Sequence, residues 1–325
     1  MVPKFSIAIP AYNRREYLKC AIASGLAQTV GSFEIVVSDD CSTDDLESVV
    51  RAFDDPRILY SRSDARLGAV QNHVRAVELT SGTYVVTLHS DDMLLPDYLE
   101  VAGAALASSP QAAAAYSSLA LFSGEKVSSF QPVPKLSFAD HQTFRANPWL
   151  EKHHDVAPTS CMFRRTAYEQ IGGYRRSLRF AYDWDIYMRF MTMGGGVLFL
   201  PNVLAVYRQH EGQAARTVAH EGLFDVLDLW GHEEFTRWPA WEIADLLITH
   251  LRASWKHAGA REAIVERIRA NRLGAKLLMG GVEAIPKRLL RRYGLLQERP
   301  NSHYRAPDGI ETATRQIAAL ARREK

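Results

Sequence analysis

The chain is predicted to be an α/β protein, a mainly parallel twisted sheet flanked by helices, with a helical C-terminal extension. Three observations predict it. Apolar, β-branched runs alternate with helix-period segments four times within the first 110 residues. Two of those runs end in the same dipeptide, Asp39-Asp40 and Asp91-Asp92. From about Ala219 the composition turns to helix formers, with Trp230, Trp238, Trp241 and Trp255 among them.

In chain order, KFSIAIP (4–10) reads as a buried strand and Ala11-Tyr12-Asn13 as a turn. Tyr17, Leu18, Ala21, Ile22 and Leu26 share one face of a helix over 14–28. A second strand over 33–37 leads into Ser38-Asp39-Asp40, where Thr43 or Asp44 is positioned to cap the next helix. A short strand over 57–60 and a helix opened by Gly68 follow. The strand containing Val85, Val86, Thr87 and Leu88 ends in His89-Ser90-Asp91-Asp92, and Pro96 starts another helix. Beyond Ala112 come extended segments over 113–122 and 156–164, an irregular stretch over 131–150, a helix over 183–193 and a last strand over 197–207. Gly194-Gly195-Gly196 reads as a helix stop, since no Lys-Ser/Thr follows to make a phosphate loop.

With 325 residues, 47% hydrophobic and 23% charged, the chain can bury one large core or two ordinary ones. The net charge of +2 is uneven: residues 216–325 hold nineteen Lys and Arg against fourteen Asp and Glu. Cys20, Cys41 and Cys161 form no CxxC pair, which argues against a disulfide framework or structural zinc and fits a reducing cytoplasm. No apolar run reaches the roughly 20 residues of a membrane span.

The paired carboxylates carry the chemistry. Two adjacent acids at a strand end are costly to hold together unless a cation or hydrogen-bond donors share their charge. Right-handed crossovers bring the ends of parallel strands to one side of the sheet, so the two pairs are expected around one polar cleft.

The blocks FSIAIPAYNRREYL, EIVVSDDCSTDD, LGAVQNHVRAVELTSGTYVVTLHSDDMLLPDYLE, PTSCMFRR, IGGY, FAYDWDIYMRF and VYRQH, in that order over 4–212, strongly resemble the family 2 inverting glycosyltransferases of the GT-A fold. The resemblance implies a nucleotide-sugar donor (a UDP-sugar before a dTDP-sugar), a divalent Mn2+ or Mg2+, and inverting transfer to a hydroxyl. The acceptor would be a glycan or lipid-linked saccharide, as in surface polysaccharide biosynthesis. By position, Pro10, Ala11 and Tyr12 would line the nucleobase pocket and Asp39 would hydrogen-bond the base, with Asp40 and Arg66 beside the donor. Asp92 would hold the metal, Asp91 the ribose or a metal-bound water, and His210 would close the metal site or contact the diphosphate. Asp183 would be the base, with Asp185 as runner-up.

Two positions depart from that family's pattern. His89 stands where the metal motif often begins with Asp, and Tyr182 where a Glu usually precedes the base. His89 could line the sugar pocket or be a buried structural histidine.

The expected organisation is a catalytic domain over 1–215, with a nucleotide-binding half (1–110) and an acceptor-side half (111–215), then a helical region over 216–325. Within that region, residues 267–299 interleave nine Lys and Arg with leucines. That pattern suits either an anionic membrane surface or a solvated face packed on the catalytic domain. Nucleic acid is not expected as a partner, because no reader motif accompanies the charge. The expected setting is cytoplasmic, with peripheral contact at the inner membrane face, and the oligomeric state is left open. The rival readings are a sugar nucleotidyltransferase, which would need a Gly-rich loop in place of Pro10-Ala11-Tyr12-Asn13-Arg14, and a silent sugar-binding scaffold.

Overall fold

Seven consecutive buried residues make β1, Phe5–Ala11, and the sheet is laid down on either side of it. In the computed structural model, which describes residues 4–123, 126–140, 142–143, 157–192, 194–213, 225, 229 and 308–322, the chain follows the predicted alternation. After β1 come α1 (Arg15–Leu26), β2 (Phe33–Asp39), α2 (Leu46–Arg51), β3 (Ile58–Arg62), α3 (Ala69–Glu78) and β4 (Tyr84–Thr87). The second half has β5 (Met93–Leu94), α4 (Tyr98–Ser108), β6 (Ala114–Ser123), β7 (Lys126–Gln131), β8 (Phe138–Ala139), β9 (Cys161–Arg164), α5 (Arg165–Gln170), α6 (Tyr182–Thr192) and β10 (Val197–Gln209). A final helix, α7, spans Ile310–Arg322.

The strand order is β3-β2-β1-β4-β9-β6-β10-β5, with β7 on β6 and β8 on β10. The β3-β2-β1-β4 half is parallel, as the crossovers require, and its registers pair Ala11 with Asp39 and Ala8 with Thr87. The second half is mixed, because β9 runs antiparallel to both β4 and β6, and β5 antiparallel to β10. The short strands β5, β7 and β8 carry no alternation long enough to read in sequence.

Burial explains the layers. Ile7, Ile9, Ile35, Val37 and Val86 pack with Leu18 and Ile22 of α1 and Leu99 and Leu106 of α4. Fully burying each such side chain is worth roughly 1.5–3 kcal/mol. Helix α3 lies against β1 and β2 with Val70, Val74 and Val77 buried. Gly82, before β4, cannot be replaced cheaply: a Cβ there would stand 2.5 Å from Ser6 Oγ and 2.8 Å from the Phe5 carbonyl carbon.

One unit comprises Met1–Ser177, Tyr182–Glu211 and Tyr304–Lys325, the other Leu178–Ala181 and Gly212–His303. In the first, Ala313 and Ile317 of α7 complete a cluster with Met93, Leu95, Ala120, Phe122, Val203 and Val206. The far end of the chain thereby braces the strands β5 and β10. In the second, Asp225 accepts hydrogen bonds from the backbone N–H groups of Arg179, Phe180 and Ala181. The basic stretch 267–299, the four tryptophans and residues 141 and 144–150 of the 131–150 loop lie outside the described residues. Among the described residues, no helix is long and apolar enough to cross a membrane.

Candidate functional site

The turn after β1 opens the site. Asn13 and Arg14 both take left-handed backbone conformations, φ 54° and 63°. That conformation is uncommon outside glycine and persists only where neighbours hold it. Here the Asn13 side chain accepts hydrogen bonds from the Thr43 and Asp44 N–H groups, and Asp44 accepts one from the Arg14 N–H at 2.7 Å. Asp44 is therefore not the cap of α2. Asp45 caps it, accepting from Ser48 N at 3.1 Å. The tied loops send the Arg14 guanidinium to Asp91, 3.1 Å away, and to within 3.5 Å of His210 Nε2.

The first acidic pair is spent on its own and the neighbouring loops. Asp39 is wholly enclosed. Its Oδ1 accepts from Ser42 N and Oγ, and its Oδ2 from the Tyr60 hydroxyl at 2.6 Å, with Arg62 at 4.0 Å. Burial and this carboxylate together push the Tyr60 phenol well above its ordinary range. Asp40 is equally engaged, accepting from Arg66 Nε, Leu67 N and Gly68 N. Its carboxylate shapes the turn that starts α3. Tyr12 is half-buried, with the Arg66 guanidinium 3.2 Å above its ring, while Pro10 and Ala11 are buried behind it. Asn72 bridges the same loops, donating to the carbonyls of Ser38 and Ala11.

The second pair divides differently. Asp92 is buried, and its oxygens accept from the Thr159 hydroxyl at 2.6 Å and the Arg208 N–H at 2.9 Å. Burial, with Asp91 adjacent, holds its carboxyl well above the usual carboxylate range. Asp91 is half-buried and faces Arg14 at 3.1 Å and His210 Nε2 at 2.9 Å. His210 also packs on Tyr17, ring centroids 5.0 Å apart. On the other side, His89 Nδ1 lies 3.7 Å from Asp92 Oδ2. His89, Asp91 and Asp92 each offer a ligand atom within 4.8 Å of one another, the one such group found among the described residues. Two carboxylates and an imidazole fit a hard to borderline divalent cation such as Mn2+ or Mg2+.

Helix α6 presents the third element. Asp183 sits in its first turn, its Oδ1 accepting from the Trp184 N–H, and it borders a small cavity lined by Tyr116, Pro158, Cys161, Tyr174 and Ile186. Asp185 is wholly buried and held by Arg175 and Arg189, and Arg189 also donates to the carbonyls of Ile171 and Gly173. Such a triad fastens α6 to the preceding loop, which sets Asp185 aside as a base. Tyr182 hydrogen-bonds His73, whose imidazole burial pushes down to about 3.

Four partners escape a reading by sequence alone: Arg14, His73, Thr159 and Arg208. Arg14, Thr159 and Arg208 lie within the blocks AYNRREYL, PTSCMFRR and VYRQH, but nothing local says that they meet Asp91 and Asp92, 67 to 117 positions away. His73 lies within the block LGAVQNHVRAVEL, but nothing local says that it meets Tyr182.

Comparison with known proteins agrees with this geometry. The model of the family described as Glycosyl transferase family 2 matches residues 6–172. An uncharacterized protein of Mycobacterium tuberculosis is 28% identical over 236 residues, covering 70% of this chain and 73% of that protein. The putative colanic acid biosynthesis glycosyl transferase WcaA of Escherichia coli is 37% identical over 101 residues, 30% of this chain and 36% of its own length. Among solved structures, S. aureus TarS 1-349 in complex with UDP-GlcNAc superposes with a TM-score of 0.64 at 19% identity, over 82% of this chain and 80% of that one. The mannosyltransferase PcManGT of Pyrobaculum calidifontis, in complex with GDP-Man and Mn2+, gives 0.54 at 17% identity over 100% and 87%. The structural likenesses speak to the GT-A fold. The family match takes in both acidic pairs and covers just over half of the chain, so this chain belongs to glycosyl transferase family 2 and is a glycosyltransferase.

Proposed function

We propose that this chain is a metal-dependent, inverting glycosyltransferase that takes a nucleotide-diphosphate sugar, a UDP-sugar first, and extends a glycan or lipid-linked saccharide of a surface polysaccharide. The observation that carries the reading is the pairing at the second acidic site, where one carboxylate is buried and fixed while its neighbour faces Arg14 and His210. That polarity suits a divalent cation together with a diphosphate. WcaA and the succinoglycan biosynthesis protein ExoO of Rhizobium meliloti, 26% identical over 227 residues and 64% of its length, are named for polysaccharide synthesis.

The roles are divided as follows. Asp91 would hold the cation, with His210 or His89 as the nitrogen ligand, and Asp92 fixes the turn through Thr159 and Arg208. This makes Asp91 rather than Asp92 the principal ligand, because Asp91 is half-open while Asp92 is buried. The cation, when bound, supplies positive charge against the diphosphate that leaves. Tyr12 gives the base a ring to stack on, and Arg66 can close over it. Asp39 can accept a base N–H only by sharing Oδ2 with Tyr60. Asp183 accepts the proton of the acceptor hydroxyl as that oxygen attacks the anomeric carbon from the face opposite the leaving group.

The test is a thermal-shift screen of nucleotide-sugars with Mn2+, followed by a transfer assay on the stabilising donor. The expected result is a metal-dependent shift and a product of inverted anomeric configuration. Binding that persists in a chelator, or retention of configuration, overturns the proposal.

A further inference from the structure

Arg208 joins the second acidic pair to the apolar cluster that α7 closes. It is only 6% exposed. Its backbone N–H donates to Asp92 Oδ1 at 2.9 Å, and its Nε–H to the Asp91 carbonyl at 3.0 Å. The guanidinium stands 5.0 Å from the ring centroid of Tyr17 and 5.3 Å from that of Phe122, with one nitrogen 3.7 Å from Met93 Sδ. A buried cation keeps its place only where acceptors and ring faces hold it. Met93 and Phe122 are members of the cluster that Ala313 and Ile317 complete. Met93 directly follows Asp92 in the chain, and Val206, another member, stands two residues before Arg208.

The strand that carries Arg208 is irregular where the end of the chain arrives. The register of β10 on β6 shifts between Leu200 and Val203 and again between Val203 and Ala205. Asp308 pairs with that irregular stretch, its N–H donating to the Pro201 carbonyl at 2.8 Å and its carbonyl accepting from the Val203 N–H at 3.3 Å. Ala313 and Ile317, four residues apart, then share one face of α7 and bury it in the cluster.

We infer that α7 is a positioning element for the metal site. Ala313 and Ile317 hold Met93 and Phe122 against the Arg208 guanidinium, and Arg208 in turn fixes the turn that carries Asp91 and Asp92. The inference rests on the metal-dependent reading above and extends it to the end of the chain. Close-packed interiors transmit a lost side chain to their neighbours, and metal–ligand distances tolerate shifts of only about 0.2 Å.

Mn2+ titrations of the full chain with UDP as the probe, read by electron paramagnetic resonance, test this. Ile317→Ala should raise the Mn2+ Kd about tenfold, the lower end for losing a group that orients metal ligands. Ile317→Leu, which refills the space, should return it to within about twofold of wild type. Phe122→Leu removes the ring beside Arg208 and keeps the cluster apolar. It should weaken Mn2+ as Ile317→Ala does, and the two changes together should cost little more than either, because both act through Arg208. Leu106→Ala takes a similar volume from the main core and should leave the Kd within about twofold. A second readout needs no metal: the Arg208 Nε proton should exchange with solvent about tenfold faster in Ile317→Ala. Circular dichroism at the assay temperature establishes which variants are folded, and Phe122→Leu carries the test where Ile317→Ala is not. An unchanged Mn2+ Kd in either folded variant, or an equal rise in Leu106→Ala, overturns the inference and leaves the proposed function standing. A wild-type chain that binds no Mn2+ with UDP overturns both.

Discussion

Asp39-Asp40 and Asp91-Asp92 are the same dipeptide, placed where strands on either side of β1 end, yet the fold treats them differently. The first pair is enclosed, and its four oxygens serve Ser42, Tyr60, Arg66, Leu67 and Gly68. In the second, Asp92 is closed in the same way while Asp91 stays half-open against Arg14 and His210. A carboxylate's use is decided by the donors that reach it first. Backbone N–H groups and hydroxyls from 3 to 28 positions away consume the first pair. The second pair meets β9 and β10, which arrive late in the chain and satisfy only one of its members.

That contrast can be broken by substitution. The largest effect is expected at the third acid, Asp183. Asp183→Asn should lower kcat by about 10^2 to 10^4, the range for a positioned general base, with UDP affinity retained in calorimetry. Full turnover would remove it from that role. Next, Asp91→Asn should abolish Mn2+-dependent UDP binding with little change in melting temperature. Asp92→Ala should unfold more readily, because it strands the Thr159 hydroxyl and the Arg208 N–H at about 1–3 kcal/mol each. The opposite pattern in denaturant melts and metal titrations would restore Asp92 as the principal ligand.

Smaller effects sharpen the comparison. Asp40→Ala should cost about 1–3 kcal/mol of stability through the 66–68 turn while Mn2+ affinity holds. Tyr12→Ala should weaken UDP by about 1–3 kcal/mol, the range for base stacking, and leave the melting temperature nearly unchanged. Acid should also loosen the fold through His73. Its pKa is pushed down to about 3 by burial, below the ordinary 6.5, so the unfolded chain binds the extra proton in that window. Stability from this residue is full above pH 6.5 and falls toward pH 3, by at most about 1.4 kcal/mol per unit. Denaturant midpoints against pH, compared with His73→Phe, isolate that contribution.

Much of the scaffold was legible in advance, for reasons visible in particular elements. The β1 run FSIAIPA is wholly buried and bounded by turn residues, and α1 shows its apolar face at 18, 21 and 22. The cap of α2 was misplaced by one residue because Thr43, Asp44 and Asp45 are all competent caps, and only the demand of Arg14 for Asp44 breaks the tie. Strands β5 and β8, two residues each, hold no periodicity of their own and exist because β10 is there to pair with. Asp185, the runner-up to Asp183 by sequence, is closed on by Arg175 and Arg189, which no local pattern shows.

The sequence by itself determined the order of strands and helices, the acids at strand ends and the family, because periodicity, turn chemistry and ordered motifs are properties of short stretches. Only the tertiary structure decided which acid of each pair stays open, that Arg14, Thr159 and Arg208 are their partners, and that Tyr182 meets His73. The reason is physical. Those outcomes depend on donors brought within about 3 Å across 67 to 117 intervening positions, and no local pattern encodes which distant donor arrives.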